Sequence, residues 1–446
     1  MTSLPIPPLD AAIREIAHEL AAAYPSPARA PRRAFEDAAI ARSSAHADLR
    51  AALFRFVDVA PACTGMRDRG AHLAALLDES GATPRPLHHQ LDRAGIQGLL
   101  GRGAGAGVRL MAQRFIAGED PRDAAPTLRR LWRSGRAASV DLLGEATVTA
   151  AEADRYAARC ADALAQLGAA ARRWPERPLL ERDSVGRLPR VNLSIKVSAL
   201  TAEVRELDPA RGVRDALPRV KQLALAARES GAHLHLDMES FGSRALVMQL
   251  LGELLHDPAL RDGPSLGIVL QAYLRDSPEQ LDELLAMVRS ADRATPLTVR
   301  LVKGAYWDHE MVDAEQHGWR SPTFAVKAET DRNFEALTRR LLDAHPTVRL
   351  AVASHNLRSV AHAIAYNRAR GGEDRDLELQ VLRGLGDDLG CAVARLGLRA
   401  RVYTPVGSLV EGMAYLVRRL LENTSNDSFL AARAHGEELD RLLVAP

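Results

Sequence analysis

Four of the chain's 59 basic residues are lysine: Lys196, Lys221, Lys303 and Lys327. A chain that spells nearly every cation as arginine keeps lysine where a compact, three-donor charge is needed and a planar fork would not fit. Lys196, Lys303 and Lys327 are therefore candidates for site chemistry. Tyr415, Arg418, Arg419 and Glu422 stand at offsets i, i+3, i+4 and i+7, one stripe of a helix. Paired guanidinium groups on such a stripe form a fork for a small carboxylate, although a solvated helix face has the same pattern. In VRLVKGAYWD (299–308), Arg300 and Lys303 precede Gly304, and Tyr306 and Trp307 follow. Glycine permits close backbone approach, and the two cations suit a phosphate or an electron-rich ring. A rim charge pair with aromatic packing is the other reading. His233, His235 and Asp237 form H-x-H-x-D on one face of a strand, which could bind a divalent metal or pack inside the fold. Corresponding strand ends carry Gln271, Lys, Arg and Tyr403. Cationic ends repel a metal and suit an anion, so no metal is expected. GRGAGAG (101–107) lacks the preceding strand that a dinucleotide motif requires and reads as a connecting loop.

The elements that must carry these residues change character near residue 130. Before it, apolar residues recur at helical spacing (Ile13, Ile16, Leu20; Leu73, Leu76, Leu77) between Pro- and Gly-rich breaks. After it, eight short apolar runs alternate with amphipathic stretches: 138–145, 191–200, 232–239, 266–274, 297–305, 348–356, 377–384 and 399–407. An eighth helix is expected over 410–423. Eight strand–helix units over about 290 residues match a (β/α)8 barrel. The predicted fold is α/β: a TIM-like barrel over 131–446, preceded by a helical arm and α-domain over 1–130. In such a barrel the chemistry lies at the C-terminal strand ends, where Lys196, Asp237, Glu239, Gln271, Lys303, His355, Asn356, Arg383 and Tyr403 fall.

A net charge of +2 leaves no electrostatic footprint for nucleic acid. Three separated cysteines without C-x-x-C argue for a reducing, cytoplasmic compartment. No apolar window is long enough to span a bilayer, and the first residues do not read as a secretory signal.

VNLSIKVSAL, LHLDMES, LQAYLRDS, VRLVKGAYWD, ASHN, LQVLRGLG, YTPVG and YLVRRLLEN, taken in order, resemble the successive motifs of the flavin-dependent proline dehydrogenases. The likeness is to the proline dehydrogenase domain of bifunctional proline utilization A proteins and covers roughly residues 138–432. The resemblance implies a distorted barrel with FAD at its C-terminal mouth and proline above the flavin. By that resemblance Lys196, Arg418 and Arg419 clamp the proline carboxylate, and Asp237, Tyr306, Leu382, Tyr403 and Tyr415 line the pocket. Arg300 lies near flavin N5, and Gln271 contacts the isoalloxazine. Lys303, Gly304, Ala305, Trp307, Lys327, Thr330, His355 and Asn356 hold the rest of the cofactor, with Glu422 at its far end. Lys196, Asp237, Arg300 and Tyr403 make up the catalytic set, and Lys196 opposite Asp237 would be a paired charge at the pocket floor. Hydride transfer from proline C5 to flavin N5 gives Δ1-pyrroline-5-carboxylate; no strong base is evident, so solvent takes the amine proton.

The pattern departs from the family at Ser240, at Ser354, and at Arg383-Gly384-Leu385-Gly386, where the family writes His-Gly-Met-Gly. The resemblance also implies proline over hydroxyproline, since the family's proline-specific members carry Tyr at the position of Tyr403, where a bulky ring leaves little room for a ring hydroxyl. The resemblance further implies transfer of electrons to membrane quinone and a peripheral position at the inner face of the cytoplasmic membrane. Neither the aldehyde dehydrogenase module nor the basic ribbon-helix-helix start of the bifunctional proteins is read in these residues, so one reaction is expected, with an aldehyde dehydrogenase as partner for the next. The N-terminal helices offer a surface for a homodimer.

Overall fold

In the computed structural model the described residues are 9–26, 48, 51–52, 55–56, 59, 62–79, 113–144, 146–408, 412 and 438–446. Eight strands form one closed parallel barrel in sequence order. They are β1 (Arg136–Leu142), β2 (Asn192–Ile195), β3 (His233–Leu236), β4 (Ser265–Gln271), β5 (Leu297–Val302), β6 (Val348–Ala353), β7 (Glu378–Leu382) and β8 (Arg399–Val406). Each lies within or overlaps one of the eight predicted runs. Closure comes from β1 pairing with both β2 (Asp141 beside Ser194) and β8 (Ser139 beside Tyr403).

The strands are short and buried on both faces, as parallel strands between a helical layer and a filled interior must be. Helices Ala150–Ala171, Pro209–Ser230, Arg244–His256, Ser277–Ser290, Lys327–Asp343, Leu357–Ala369 and Asp387–Arg395 return the chain between them. Local chemistry starts these helices. Thr149 and Glu152 make a reciprocal capping box, and Asp208 accepts from Arg211 N with Pro209 as the first helical residue. An extra helix, Trp307–His317, lies between β5 and its returning helix and carries part of the VKGAYW motif. The expected helix over 410–423 and the GRGAGAG run lie outside the described residues, Gly412 apart.

Helix Leu9–Ala22 buries Ile13, Ile16, Ala17 and Leu20 in the same apolar core as the barrel. Arg358, on the helix after β6, holds it there. Its guanidinium donates to Asp10 (2.8 Å), to Glu335 (2.9 Å) and to the Leu443 carbonyl (2.7 Å). One buried cation thus ties the first described helix and the last described residues to the barrel wall.

Candidate active site

The alternation of side chains along parallel strands turns every second residue into the barrel. Arg300, on β5, is 4 % exposed and occupies the interior below the C-terminal opening. It donates to Asp237 Oδ1 (2.6 Å), Ser194 Oγ (3.1 Å), Ser139 Oγ (3.0 Å) and Gln380 Oε1 (2.8 Å). Those partners come from β1, β2, β7 and the residue following β3, which only the barrel interior brings together. Asp237 also accepts from Ser194 Oγ (2.7 Å) and, through its other oxygen, from Tyr403 OH (2.7 Å). The Tyr403 ring lies over the Arg300 guanidinium at 5.2 Å. Burial, reinforced by Asp141 and Asp237, pushes the Tyr403 hydroxyl well above its ordinary value, so it remains a donor.

Lys196 follows β2 directly and bonds to Asp141 of β1. This corrects the expected Lys196–Asp237 pair: Asp237 is saturated by Arg300, Ser194 and Tyr403, and the β1–β2 register places Asp141 beside Ser194, next to Lys196. Burial pushes the Lys196 ammonium down, but Asp141, with Asp237 and Glu239, more than offsets this and holds it above its ordinary value. It is a charged donor with one of its three hydrogens committed to Asp141.

A cavity of about 350 Å³ opens above this floor. Of the residues singled out from sequence, Lys196, Asp237, Gln271, Arg300, Lys303, Gly304, Ala305, Tyr306, His355, Leu382 and Tyr403 line it. Val269, Val302, Ala353 and Val381 give it an apolar wall. Gln271 donates to the Glu239 carbonyl (2.9 Å), while its own carbonyl oxygen is buried without a partner. Such an acceptor on a cavity wall is suited to a ligand N–H. Beyond Gln271, Lys303 bonds to Asp331, and Lys327 reaches the other oxygen of the same carboxylate (2.9 Å). Two ammonium groups share one carboxylate and leave a net positive charge, which suits a phosphate. Gly304 is required between Lys303 and the wall: its φ is 136°, and a Cβ there would lie 2.3 Å from the Tyr273 ring.

Among the described residues, four of those predicted do not line the cavity: Trp307, Lys327, Thr330 and Asn356. Lys327 bonds to Asp331, which also holds the cavity residue Lys303. Trp307, next to Tyr306, is partly exposed and donates to the Phe324 carbonyl (2.8 Å). Thr330 is buried in the first turn of Lys327–Asp343. Asn356 caps the helix after β6, its carbonyl oxygen accepting from Ser359 N (3.3 Å). Tyr415, Arg418, Arg419 and Glu422 lie outside the described residues. His355 Nε2 accepts from Leu382 N (2.9 Å), and Gly386 makes room for its ring, since a Cβ there would stand 2.7 Å away. Arg383, at the position where the family writes His, donates to the Gln113 carbonyl (3.1 Å) and pins the segment before the barrel over the end of β7.

The H-x-H-x-D run is interior packing. His233 Nδ1 lies 2.8 Å from Ser265 Oγ, and its Nε2 lies 3.1 Å from His235 Nδ1. Burial, with Arg401 nearby, pulls His233 down to about 3, and burial with Arg300 pulls His235 well below its ordinary value. Arg300 occupies the Asp237 carboxylate that a metal would need. Among the described residues, the metal-ligating side chains that converge are Cys63, Asp68 and His72, in the N-terminal helical region.

Sequence reasoning missed Asp141, Ser139, Ser194 and Gln380. Each shows the period-two signal of an inward position: Ser139 and Asp141 on one face of β1, Ser194 and Lys196 on β2, Gln380 and Leu382 on β7.

A closed parallel barrel with buried cations and an apolar-walled cavity at its C-terminal mouth is the architecture of a barrel enzyme. The chain belongs to the proline dehydrogenase family, whose model matches residues 124–432; the model of the proline utilization A N-terminal domain matches residues 10–115. The bifunctional protein PutA of Salmonella typhimurium is 32% identical over 370 residues, covering 81% of this chain and 27% of that protein. Proline dehydrogenase 1 of Bacillus subtilis subsp. natto is 27% identical over 328 residues, 73% of this chain and 90% of that protein. The crystal structure of proline utilization A from Bdellovibrio bacteriovorus inactivated by N-propargylglycine superposes with a TM-score of 0.88 at 33% identity, covering 99% of this chain and 44% of that chain. The chain thus spans about a quarter of the length of the Salmonella PutA protein and under half of the Bdellovibrio chain.

Proposed function

We propose that this chain is an FAD-dependent proline dehydrogenase that oxidises L-proline to Δ1-pyrroline-5-carboxylate, the first step of proline catabolism. The observation that carries the reading is the cavity floor: the Lys196–Asp141 pair and the Arg300–Asp237–Tyr403 network at the mouth of a barrel that belongs to this family.

The residues present fit FAD. The unpartnered Gln271 carbonyl suits an imide N–H of the isoalloxazine, the apolar wall suits its rings, and the Lys303–Asp331–Lys327 cluster suits the pyrophosphate. When bound, FAD supplies the two-electron acceptor that the side chains themselves lack. Lys196 keeps two N–H donors for a substrate carboxylate, with Arg418 and Arg419 as its partners in that role by family resemblance. Tyr403, held by Asp237 and stacked over Arg300, is a fixed wall that limits the size of the substrate ring. Asp237 spends both oxygens on Arg300, Ser194 and Tyr403, so it positions the floor and is not a free base; solvent takes the amine proton. The Arg300 charge beneath the cavity stabilises negative charge that develops above it.

By family resemblance, membrane quinone is the final electron acceptor, with the enzyme cytoplasmic and peripheral at the inner face of the membrane. No helix among the described residues is long and apolar enough to cross a membrane. An aldehyde dehydrogenase, as a separate protein or a fused module, consumes the product, and a homodimer is the proposed assembly.

The test is proline-dependent reduction of an electron-accepting dye by FAD-reconstituted protein, with hydroxyproline and N-methyl amino acids as comparators. Turnover with proline above the comparators is expected. Flavin-loaded protein that turns over only a comparator would remove proline as the substrate. N-propargylglycine, which inactivates the Bdellovibrio protein, is a secondary amine with a carboxylate, like proline, and is expected to inactivate this chain.

A further inference from the structure

We infer that Glu239 receives the amine of the substrate, so that Lys196 and Glu239 together recognise the two charges of a free amino acid. The inference rests on the proposed proline dehydrogenase reading and adds a substrate contact that the family resemblance did not supply. Three carboxylates line the cavity: Asp141, Asp237 and Glu239. Two are committed. Asp141 is 1 % exposed and bonds to Lys196. Asp237 accepts from Arg300 (2.6 Å), Ser194 (2.7 Å) and Tyr403 (2.7 Å). The Glu239 side chain is half-buried, and among the described residues its carboxylate has no hydrogen-bond or ion-pair partner.

The backbone of Glu239 is fixed at the cavity wall, where its carbonyl accepts from Gln271 (2.9 Å). Lys196 directly follows β2, and Glu239 lies just beyond β3. The two strands are neighbours, with Ile195 beside Leu236. The charge of Glu239 reaches Lys196, since together with Asp141 and Asp237 it holds the ammonium above its ordinary value. Arg300 is balanced by Asp237 and Lys196 by Asp141, so Glu239 is the carboxylate left over on this side of the cavity. At Lys303 the balance is reversed, because two ammonium groups share Asp331. An unmatched carboxylate on a cavity wall favours a cationic N–H donor of the ligand. In an α-amino acid one carbon bears both the carboxylate and the nitrogen. A ligand whose carboxylate is held by Lys196 therefore brings its nitrogen towards the neighbouring strand end. A secondary ammonium has two N–H groups. One donates to Glu239, and the other is left for the solvent that takes the amine proton. The N–H that remains on the neutral amine still has its acceptor.

The test is calorimetric titration of whole, FAD-loaded protein reduced with dithionite under anaerobic conditions, so that proline binds without turning over. The probes are L-proline and cyclopentanecarboxylate, which keeps the ring and the carboxylate but has no amine. Wild type is expected to prefer proline. Glu239→Gln is expected to weaken proline binding roughly 10–100-fold, the loss of one charge-assisted hydrogen bond, and to leave cyclopentanecarboxylate little changed. Equal losses for both ligands would mean that Glu239 acts through Lys196 or the fold, and would overturn the inference. So would unchanged proline binding with weaker flavin retention, which would assign Glu239 to the cofactor. Wild type that binds both ligands equally would overturn it without any variant. Flavin-loaded wild type that binds neither ligand would remove the proposed function, and this inference with it.

Discussion

Removing the Lys196 ammonium tests the floor of the cavity most sharply. Asp141 is 1 % exposed, one of its oxygens bonds to Lys196, and the other is buried without a partner. Lys196→Met therefore strands a carboxylate in the barrel interior. Breaking one side of a buried pair costs about 3–5 kcal/mol, most of it the penalty for the charge left behind. Lys196→Met/Asp141→Asn removes both charges at nearly constant volume and is expected to recover at least about 2 kcal/mol of that loss. Denaturant unfolding of the wild type, both single variants and the double variant, all in the same cofactor state, measures the coupling. Proline kinetics on the same set separate the two roles of Lys196: both variants lacking it raise KM for proline, whereas only the single variant suffers the large stability loss. A Lys196→Met protein as stable as wild type, or a double variant no more stable than Lys196→Met, would refute the pairing.

Tyr403→Phe deletes one hydrogen bond to a carboxylate and leaves Asp237 its bonds to Arg300 and Ser194. A loss of about 1.5–3 kcal/mol is expected by denaturation, with the wall of the substrate pocket kept. Lys303→Met and Lys327→Met each remove half of the positive pair around Asp331, and each is expected to weaken FAD binding by roughly 10–100-fold in a fluorescence titration. Gly304→Ala places a methyl group 2.3 Å from the Tyr273 ring at a φ of 136°, so a lower melting temperature and poor flavin retention are expected. His233 and His362 are each pulled down to about 3 by burial, and His235 falls with them. The folded state therefore binds fewer protons than the unfolded one below the ordinary histidine range. The stability these residues contribute is present at neutral pH and is lost as pH falls from about 6.5 towards 3. Near pH 5, unfolding should take up about three protons, less the share that Glu310 and Glu335, held high by burial, keep in the folded state. A flat stability profile between pH 7 and 5 would contradict this.

Eight strands were legible because each is a short apolar run bounded by helical periodicity, and the barrel follows from their count. The polar strand ends were legible for the same reason, and Lys196, Asp237, Arg300 and Tyr403 do meet on one floor. Their partners were harder to read. Asp141 sits inside a run read only for its apolar residues, and Lys196 chooses it over Asp237 through the β1–β2 register, which no spacing along the chain encodes. Arg300 looked like a cation at the mouth because its motif is rich in charge, whereas its side chain hangs inward and binds four others. Asn356 was assigned by resemblance to a ligand, although Asn immediately before an apolar helical run is also a helix-cap signal, and that is the bond its carbonyl makes.

The most direct measurement is the visible spectrum of the purified, FAD-supplemented protein before and after anaerobic L-proline. Bound-flavin absorbance that bleaches with proline, and far less with hydroxyproline, is the expected result. Failure to retain flavin after FAD is added, or retained flavin that proline leaves oxidised, would contradict it.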